Sequence, residues 1–132
     1  MLMSMLRTTL IFSILVFSAF GLFAQDDLAQ YQTWMKAAAG AARGGRGAVA
    51  SKDAAAISAA AKTAADNFDS IATFWTKKSK PEAAALATTA RDAAKALGAA
   101  TTPEDQTAAL GKINGTCMGC HAMTRDGNNF KQ

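Results

Sequence analysis

The spacing of apolar residues predicts helices along most of the chain after residue 25. In the first segment the apolar positions fall three or four residues apart, which is the spacing of one helix face: Leu28, Tyr31, Met35, Ala38 and Ala42. Asp26 and Asp27 suit the positive end of the helix dipole at its start. The stretch "GAARGGRG" at 40–47 is rich in glycine, so we interpret it as a flexible turn that ends this helix.

A second helix is predicted to begin at Ser51, a residue type that caps helix N-termini, and to end at Lys77 and Lys78. Its apolar face comprises Ile57, Ala61, Ala64, Phe68, Ile71 and Trp75. The stretch "SKPE" at 79–82 has the Ser-x-x-Glu pattern of a capping box. It predicts the start of a third helix, which Gly98 ends.

The fourth helix is predicted to begin at "TPED", residues 102–105, with Pro103 in its first turn, and to run until Gly127. The apolar faces of the last two helices are Leu86, Ala90, Ala93 and Leu97, then Leu110, Ile113, Cys117, Cys120 and Thr124. Alanine, the best helix former, dominates, and Val49 is the only valine after residue 25. We therefore predict an all-α protein, an antiparallel up-down-up-down four-helix bundle over residues 25–132.

The first 24 residues precede this domain and have the layout of a secretory signal. One cation, Arg7, is followed by an apolar run and then by "QDD", so we expect cleavage after Ala24 and export to the periplasm. The apolar run is shorter than the roughly 20 residues that span a bilayer. A retained N-terminal anchor stays open as the alternative, because Leu22 occupies a position where a signal usually has a small residue.

The charge of the chain is modest. It has 14 basic and 10 acidic side chains, and removal of Arg7 with the signal lowers the formal charge from +4 to +3. There is no long run of lysine or arginine, and "GAARGGRG" lacks the Lys-Ser/Thr of a phosphate-binding loop, so we predict no nucleic-acid partner. A mildly basic surface suits the docking of an acidic protein or plain solubility.

Both cysteines and the only histidine lie in one short window, "CMGCH" at 117–121. The Cys-x-x-Cys-His spacing is that of covalent c-type haem attachment. Two thiols three residues apart face one side of a helix and can each add to a vinyl group, while the next imidazole binds iron. A haem would also fill a bundle whose alanine-rich faces supply little core volume. We therefore predict one covalent haem c, held by Cys117 and Cys120, with His121 as an axial ligand.

Other chemistry for the two cysteines fits the sequence less well. A thioredoxin-like pair should follow a strand and begin a helix. A structural zinc site needs four ligands, and the chain offers three good ones. A helical interaction module whose Cys-x-x-Cys pair forms only a disulfide stays open as an alternative. No acid–base constellation in the sequence indicates an enzyme.

The haem-attachment window near the C-terminus of an exported four-helix chain resembles the cytochrome c-prime family, the class II c-type cytochromes. The matching residues are Cys117, Cys120, His121 and Arg125, which stands where that family has an arginine beside the proximal histidine. Thr124 differs from the aromatic residue usual before that arginine, and residues 26–126 make shorter helices and loops than the family norm. The resemblance implies redox partner proteins and allows for a homodimer through the first two helices.

The second axial ligand decides between two functions. His121 is the only histidine, and Met118 and Met123 are too close to it along the helix to reach the opposite face of the ring. Met35 remains, and in the predicted bundle its height differs from that of His121 by roughly 6 Å. Ligation by Met35 predicts a low-spin electron carrier. A Met35 that only lines the pocket predicts a five-coordinate haem that binds nitric oxide or carbon monoxide.

The predicted topology also gathers aromatic side chains at the level of the haem. We assign Tyr31, Phe68 and Trp75 to its surroundings, with Trp34, Phe74 and Leu86 nearby. The loop "TKKSKP" at 76–81 lies at the same end. Its three lysines, with Arg125, are candidates to offset the haem propionates or to meet an acidic redox partner: Lys77, Lys78 and Lys80. A solvated helix end is the alternative reading of this loop.

Overall fold

The computed structural model describes the backbone of residues 2–126 and 129–130, and the side chains of residues 27–126. Its four helices are α1 (Leu2–Ser51), α2 (Ala54–Lys77), α3 (Pro81–Ala99) and α4 (Pro103–Thr124). Two short strands follow, β1 (Arg125–Asp126) and β2 (Asn129–Phe130), and they pair antiparallel. The prediction of an all-α protein with four helices is therefore confirmed.

The chain forms two compact units, residues 1–32 and residues 33–132. The second unit contains the C-terminal part of α1 and all of α2, α3 and α4, which pack as a four-helix bundle. The predicted export signal, with its cleavage after Ala24, lies outside the residues whose side chains the structure describes. Within the part of the chain that the structure describes, no helix combines the length and apolarity needed to cross a bilayer.

Helix α1 continues through the glycine-rich stretch at 40–47, so the predicted turn there is wrong. Packing against other helices explains why α1 continues where a turn was predicted. Gly45 is buried, and a Cβ atom at this position would lie only 3.4 Å from Leu110 Cδ2 and 3.5 Å from Leu97 Cδ2. Each glycine costs a helix about 1 kcal/mol relative to alanine, and close packing of neighbouring helices can offset that cost.

The turn between α1 and α2 is built without glycine. Lys52 has a φ of 57°, and its N–H donates to Val49 O at 3.1 Å, while Asp53 N–H donates to Ala48 O at 2.9 Å. This is the Schellman pattern of helix C-termini. Asp53 then caps α2 by accepting a hydrogen bond from Ala56 N–H at 3.0 Å. The prediction of a cap at Ser51 is wrong, because Ser51 is the last residue of α1.

The turn between α2 and α3 repeats this pattern. Ser79 has a φ of 56°, and its N–H donates to Thr76 O at 3.1 Å. Lys80 N–H donates to Trp75 O at 3.0 Å, and α3 then begins at Pro81. The predicted Ser79 capping box is therefore wrong: the cap position belongs to Lys80, which makes no side-chain capping hydrogen bond.

The remaining helix ends agree more closely with the sequence. Thr102 caps α4, since its Oγ1 accepts from Asp105 N–H at 3.2 Å, and Pro103 is the first helical residue. Helix α3 runs one residue past Gly98, the predicted stop. A Cβ at Gly98 would lie 3.1 Å from Ala61 Cβ, so Gly98 allows α3 to approach α2 closely.

One end of the bundle has a continuous apolar core. Its buried members come from all four helices: Ala48, Ile57, Ala61, Leu97 and Ala109, with Val49, Ala56 and Leu110 packed against them. We call this cluster the closed end. All six residues of the predicted apolar face of α2 are buried, from Ile57 to Trp75. Towards Trp75 that face reaches the region that contains the candidate site.

Candidate functional site

The three candidate chemical groups lie on the last turns of α4. Cys117 and Cys120 are free thiols, both half-buried, and His121 follows them in the last turn. Residues three apart on a helix lie on neighbouring positions of one face. Helix α4 thus presents both thiols and the imidazole within a short stretch, as the sequence predicts.

A cavity of about 210 Å³ lies beside these residues, between α1 and α4. Small side chains of α1 leave this space, because Ala38, Ala39 and Ala42 all line it. The other lining residues are Met35, Arg43 and Arg46 of α1, Phe68 of α2, and Leu110, Ile113, Asn114, Cys117 and His121 of α4. We call this space the α1–α4 cavity.

A second, smaller cavity of about 20 Å³ adjoins the same side chains. Met35, Phe68, Cys117 and His121 line both cavities. The smaller one adds Cys120 and reaches residues of α2 and α3 that include Ile71, Leu86 and Ala90. Met35 and His121 are therefore in the walls of both cavities.

The structure thus brings Met35 and His121, which are far apart in the sequence, to the walls of one cavity. Met35 is half-buried in α1, and His121 is half-buried in α4. The other two methionines among the described residues are more open to solvent: Met118 is 68% exposed and Met123 is 39% exposed. Of these three thioethers, the one predicted as a second ligand is the one that lines the cavities.

The surroundings of His121 favour a neutral imidazole. Burial lowers the pKa of His121 from its ordinary value of 6.5, and the positive charge of Arg125 lowers it further. Arg125 is tied to the same turn, since its backbone N–H donates to His121 O. A neutral imidazole has the free lone pair that metal ligation requires.

The two thiols are kept protonated by their surroundings. Burial raises the pKa of Cys117, and the charge of Arg46 opposes part of that effect. Burial also raises the pKa of Cys120, which a hydrogen bond with the Thr124 side chain partly opposes. Thr124 Oγ1 in turn donates to Cys120 O at 2.8 Å. Thiols in such surroundings react more slowly than exposed ones of low pKa.

The aromatic residues assigned to the haem surroundings occupy different places. Phe68 lines both cavities. Trp75 is buried on the same face of α2, lines neither of these two cavities, and packs edge-on against Phe74 with ring centres 5.1 Å apart. Tyr31 is buried and belongs to the first unit, residues 1–32. The three lysines of the α2–α3 turn region are exposed: Lys77, Lys78 and Lys80.

Arg43 and Arg46 line the α1–α4 cavity, although neither is among the residues predicted for the site. The predicted end of the first helix fell inside the stretch that contains both arginines. A signal was present: Arg46 follows Met35 by about three helical turns, so a continued helix places the two on one face. The arginines lie beside the candidate site and not at a remote turn.

The residues fit a covalently attached haem in their chemistry, and less closely in volume. Two thiols, an imidazole and a thioether adjoin one largely apolar space. Pockets for drug-sized ligands measure about 300–1,000 Å³, so a porphyrin would have to widen the 210 Å³ cavity. Among the described residues, no group of three or more His, Cys, Asp and Glu side chains is arranged to hold a metal ion.

No protein-family model matches this chain, and no curated protein or solved structure matches it either.

Proposed function

We propose that this chain is an exported monohaem c-type cytochrome that carries electrons in the periplasm. Cys117 and Cys120 would form the thioethers of one haem c, and His121 and Met35 would be its axial ligands. One observation carries the proposal: Met35 of α1 and His121 of α4 line the same cavity, together with Cys117 of the attachment sequence. The resemblance of the sequence to the cytochrome c-prime family agrees with it.

The roles of the residues follow from their chemistry. Each thiol adds across one vinyl group, so that sulfur bonds to one carbon and the hydrogen goes to the other. His121 supplies a neutral nitrogen, and burial and Arg125 both favour that form. A thioether from Met35 would favour ferrous iron, because soft sulfur raises the reduction potential. The bound haem supplies a one-electron couple between ferric and ferrous iron.

The arrangement of the helices supports the finer architecture of the proposal. Ala61, early in α2, faces Gly98, late in α3. Leu86, early in α3, faces Gly119, late in α4. Such contacts, with turns of two or three residues, are those expected of an antiparallel up-down-up-down bundle. Attachment of a haem to α4 would then anchor it between the helices.

Maturation of the full chain in a host that attaches c-type haem tests the proposal. We expect the denatured protein to keep the mass of one haem, and the ferric protein to be low spin with a weak near-infrared sulfur-to-iron band. Met35→Ala should turn high spin and bind carbon monoxide. Met118→Ala is the matched control, since Met118 is 68% exposed, and it should keep the wild-type spectrum.

A five-coordinate haem that binds nitric oxide or carbon monoxide is the second candidate. Met35 lines the cavity beside His121, and a methionine that lines a haem pocket without binding iron would leave the second axial position open to such a ligand. If the unmodified ferric protein is already high spin and its ferrous form binds carbon monoxide as readily as Met35→Ala does, Met35 is only pocket lining. The gas-binding function then replaces the electron carrier.

A helical interaction module with a disulfide and no haem is the third candidate. Both cysteines are free thiols in the structure, three residues apart on α4. A matured protein that lacks the mass of a haem and shows free thiols only after reduction would establish this candidate and remove the first two. The choice of partner protein needs an experiment of its own, which measures electron transfer.

The exposed lysines near the α2–α3 turn suit an acidic redox partner. Lys77, Lys78 and Lys80 are all exposed. Exposed charges are screened over about 8–10 Å at physiological salt, so electron transfer to such a partner should slow as salt rises. Rates that do not change with salt would leave these lysines as a solvated helix end. A homodimer through α1 and α2 remains a prediction of the resemblance alone.

A further inference from the structure

The α1–α4 cavity has a positively charged edge. Arg43 and Arg46 line it and are exposed to solvent, whereas much of the rest of its wall is alanine, leucine, isoleucine and phenylalanine. Among residues 27–126, no acidic side chain forms an ion pair with either arginine. Two uncompensated cations therefore stand at the border between an apolar space and water.

The Arg46 side chain leans along the axis of α1 towards Met35. Side chains on a helix point towards its N-terminus, which for α1 is the direction of Met35. Arg46 follows this rule, because its Nε atom donates to Ala42 O at 3.5 Å. Burial raises the pKa of the Cys117 thiol and the positive charge of Arg46 opposes part of that rise, so the two side chains are close enough to interact.

A ligand that fills this cavity and carries carboxylates at one edge would match such a wall. Guanidinium groups bind carboxylates through two parallel hydrogen bonds, and these are among the strongest hydrogen bonds in proteins. A haem has this character: an apolar macrocycle with two propionate carboxylates on one edge. The lysines of the α2–α3 turn region, which were candidates to offset the propionates, line neither of the two cavities.

We infer that Arg43 and Arg46 form a carboxylate-binding subsite for the haem propionates at the edge of the α1–α4 cavity. The inference rests on the proposed function and adds two residues to it. The continuation of α1 through residues 40–47 places the two arginines along the cavity wall.

Reversible binding of two porphyrins tests the subsite. The full chain with Cys117→Ala and Cys120→Ala cannot form thioethers, so affinities for ferric protoporphyrin and for its dimethyl ester can be compared by absorption titration. The ester keeps the macrocycle and iron but has no free carboxylate. We expect Arg43→Gln with Arg46→Gln to weaken binding of the free acid at least tenfold, and to change binding of the ester less than twofold.

Two lysines provide the matched control. Lys36 of α1 and Lys112 of α4 are exposed and do not line the cavity. Lys36→Gln with Lys112→Gln removes the same amount of charge from the two helices that border the cavity, and the free acid should bind this variant as well as it binds the parent. Circular dichroism of each variant before titration verifies that the helices are formed.

The matured protein, with its cysteines intact, provides a second measurement. Cations near a haem stabilise its less positive ferrous form, so loss of both arginines should lower the reduction potential. We expect at least a tenfold change in the ferrous-to-ferric ratio at a fixed ambient potential, which is 59 mV for one electron. Arg43→Lys with Arg46→Lys keeps the charge and should restore most of the potential.

The outcomes separate the subsite from the proposed function. Equal loss of affinity for the free acid and the ester, or a potential that the arginine variants leave unchanged, overturns the subsite and leaves the cytochrome proposal in place. A chain that acquires no haem in a maturation host and binds neither porphyrin overturns both. A loss of affinity for the free acid but not for the ester, with the lysine control unaffected, supports the subsite.

Discussion

Small residues have opposite consequences in two regions of the molecule: they are closely packed at the closed end, and they border open space along the α1–α4 cavity. At the closed end, Ala48 and Ala61 are buried in one cluster with Leu97, and the buried Gly45 lies beside Leu97 and Leu110. Along the cavity, Ala38 and Ala42 of the same helix line a space of about 210 Å³. A short side chain permits close packing only where side chains from other helices fill the space beside it.

This difference separates stability from function along one helix. The closed end buries Ile57 and Leu97 almost completely, at 5% and 1% exposure, so it can hold the bundle together by apolar contact. The side chains around the cavity lack such contacts, and the stability that is lost grows with the empty volume. A cofactor that filled the space would restore them, so the chain without haem should be less stable than the chain with it.

The largest expected effect comes from opening the closed end. Leu97→Ala removes a side chain that is 1% exposed, so the haem-free chain should lose about 2–5 kcal/mol of unfolding free energy. Urea denaturation followed by circular dichroism measures the loss. Met118→Ala, at a position 68% exposed, should change stability by less than about 0.5 kcal/mol. Equal losses at the two positions would mean that the cluster is not the main core.

Two alanine-to-leucine changes on α1 should have opposite signs. Ala48→Leu overfills the closed end and should cost about 1–3 kcal/mol of unfolding free energy. Ala42→Leu fills part of the α1–α4 cavity and should stabilise the haem-free chain by about 0.5–2 kcal/mol. The same Ala42→Leu change should reduce haem incorporation in a maturation host, measured by mass spectrometry. Undiminished incorporation would show that the haem does not occupy this cavity.

Glycine substitutions sharpen the comparison at smaller energies. Gly44→Ala meets nothing within 4 Å, so it should stabilise the chain by about 1 kcal/mol through helix propensity. Gly98→Ala has the same propensity gain, but its Cβ would lie 3.1 Å from Ala61 Cβ, so its net effect should be smaller or reversed. Adding Ala61→Gly should relieve the contact. Thermal unfolding of the single and double variants measures the coupling between positions 61 and 98.

The smallest expected effect is the pH dependence of the haem-free chain. The pKa of His121 in the folded state lies below its ordinary value of 6.5, so the unfolded state takes up a proton first as the pH falls. The unfolding free energy should therefore decrease as the pH falls through about 6.5, and His121→Gln should flatten this dependence. Urea midpoints at about pH 8 and about pH 5.5 measure it. An unaltered slope in the variant would assign the dependence to other groups.

The helices and the position of the Cys-x-x-Cys-His stretch were predictable because the sequence patterns that indicate them span only a few residues. Each residue of the apolar face of α2, from Ile57 to Trp75, follows from periodicity and is buried. The cap at Thr102 follows from a short pattern and is formed. The window from Cys117 to His121 lies late in α4 as predicted, since two cysteines and a histidine at this spacing need only a helix to bring them to one face.

The helix ends near glycine and serine were less predictable because local preferences were weak there. The turns after α1 and α2 place Lys52 and Ser79 at φ values of 57° and 56°, where glycine is usually found. Glycines lie instead at 44, 45 and 47, inside α1. Backbone hydrogen bonds of the two turns outweigh a preference of about 1 kcal/mol per residue at Lys52 and Ser79, and Gly45 is packed against neighbouring helices.

The sequence by itself determined the helical class of the chain and the set of groups that can carry chemistry, because composition, periodicity and Cys-x-x-Cys-His spacing act over a few residues. Only the tertiary structure decided which distant residues share a cavity. It joined Met35 and Phe68 to His121, and it added Arg43 and Arg46 to the same wall. That assignment depends on where α1 ends and how closely it approaches its neighbours, which packing between helices controls and local sequence does not.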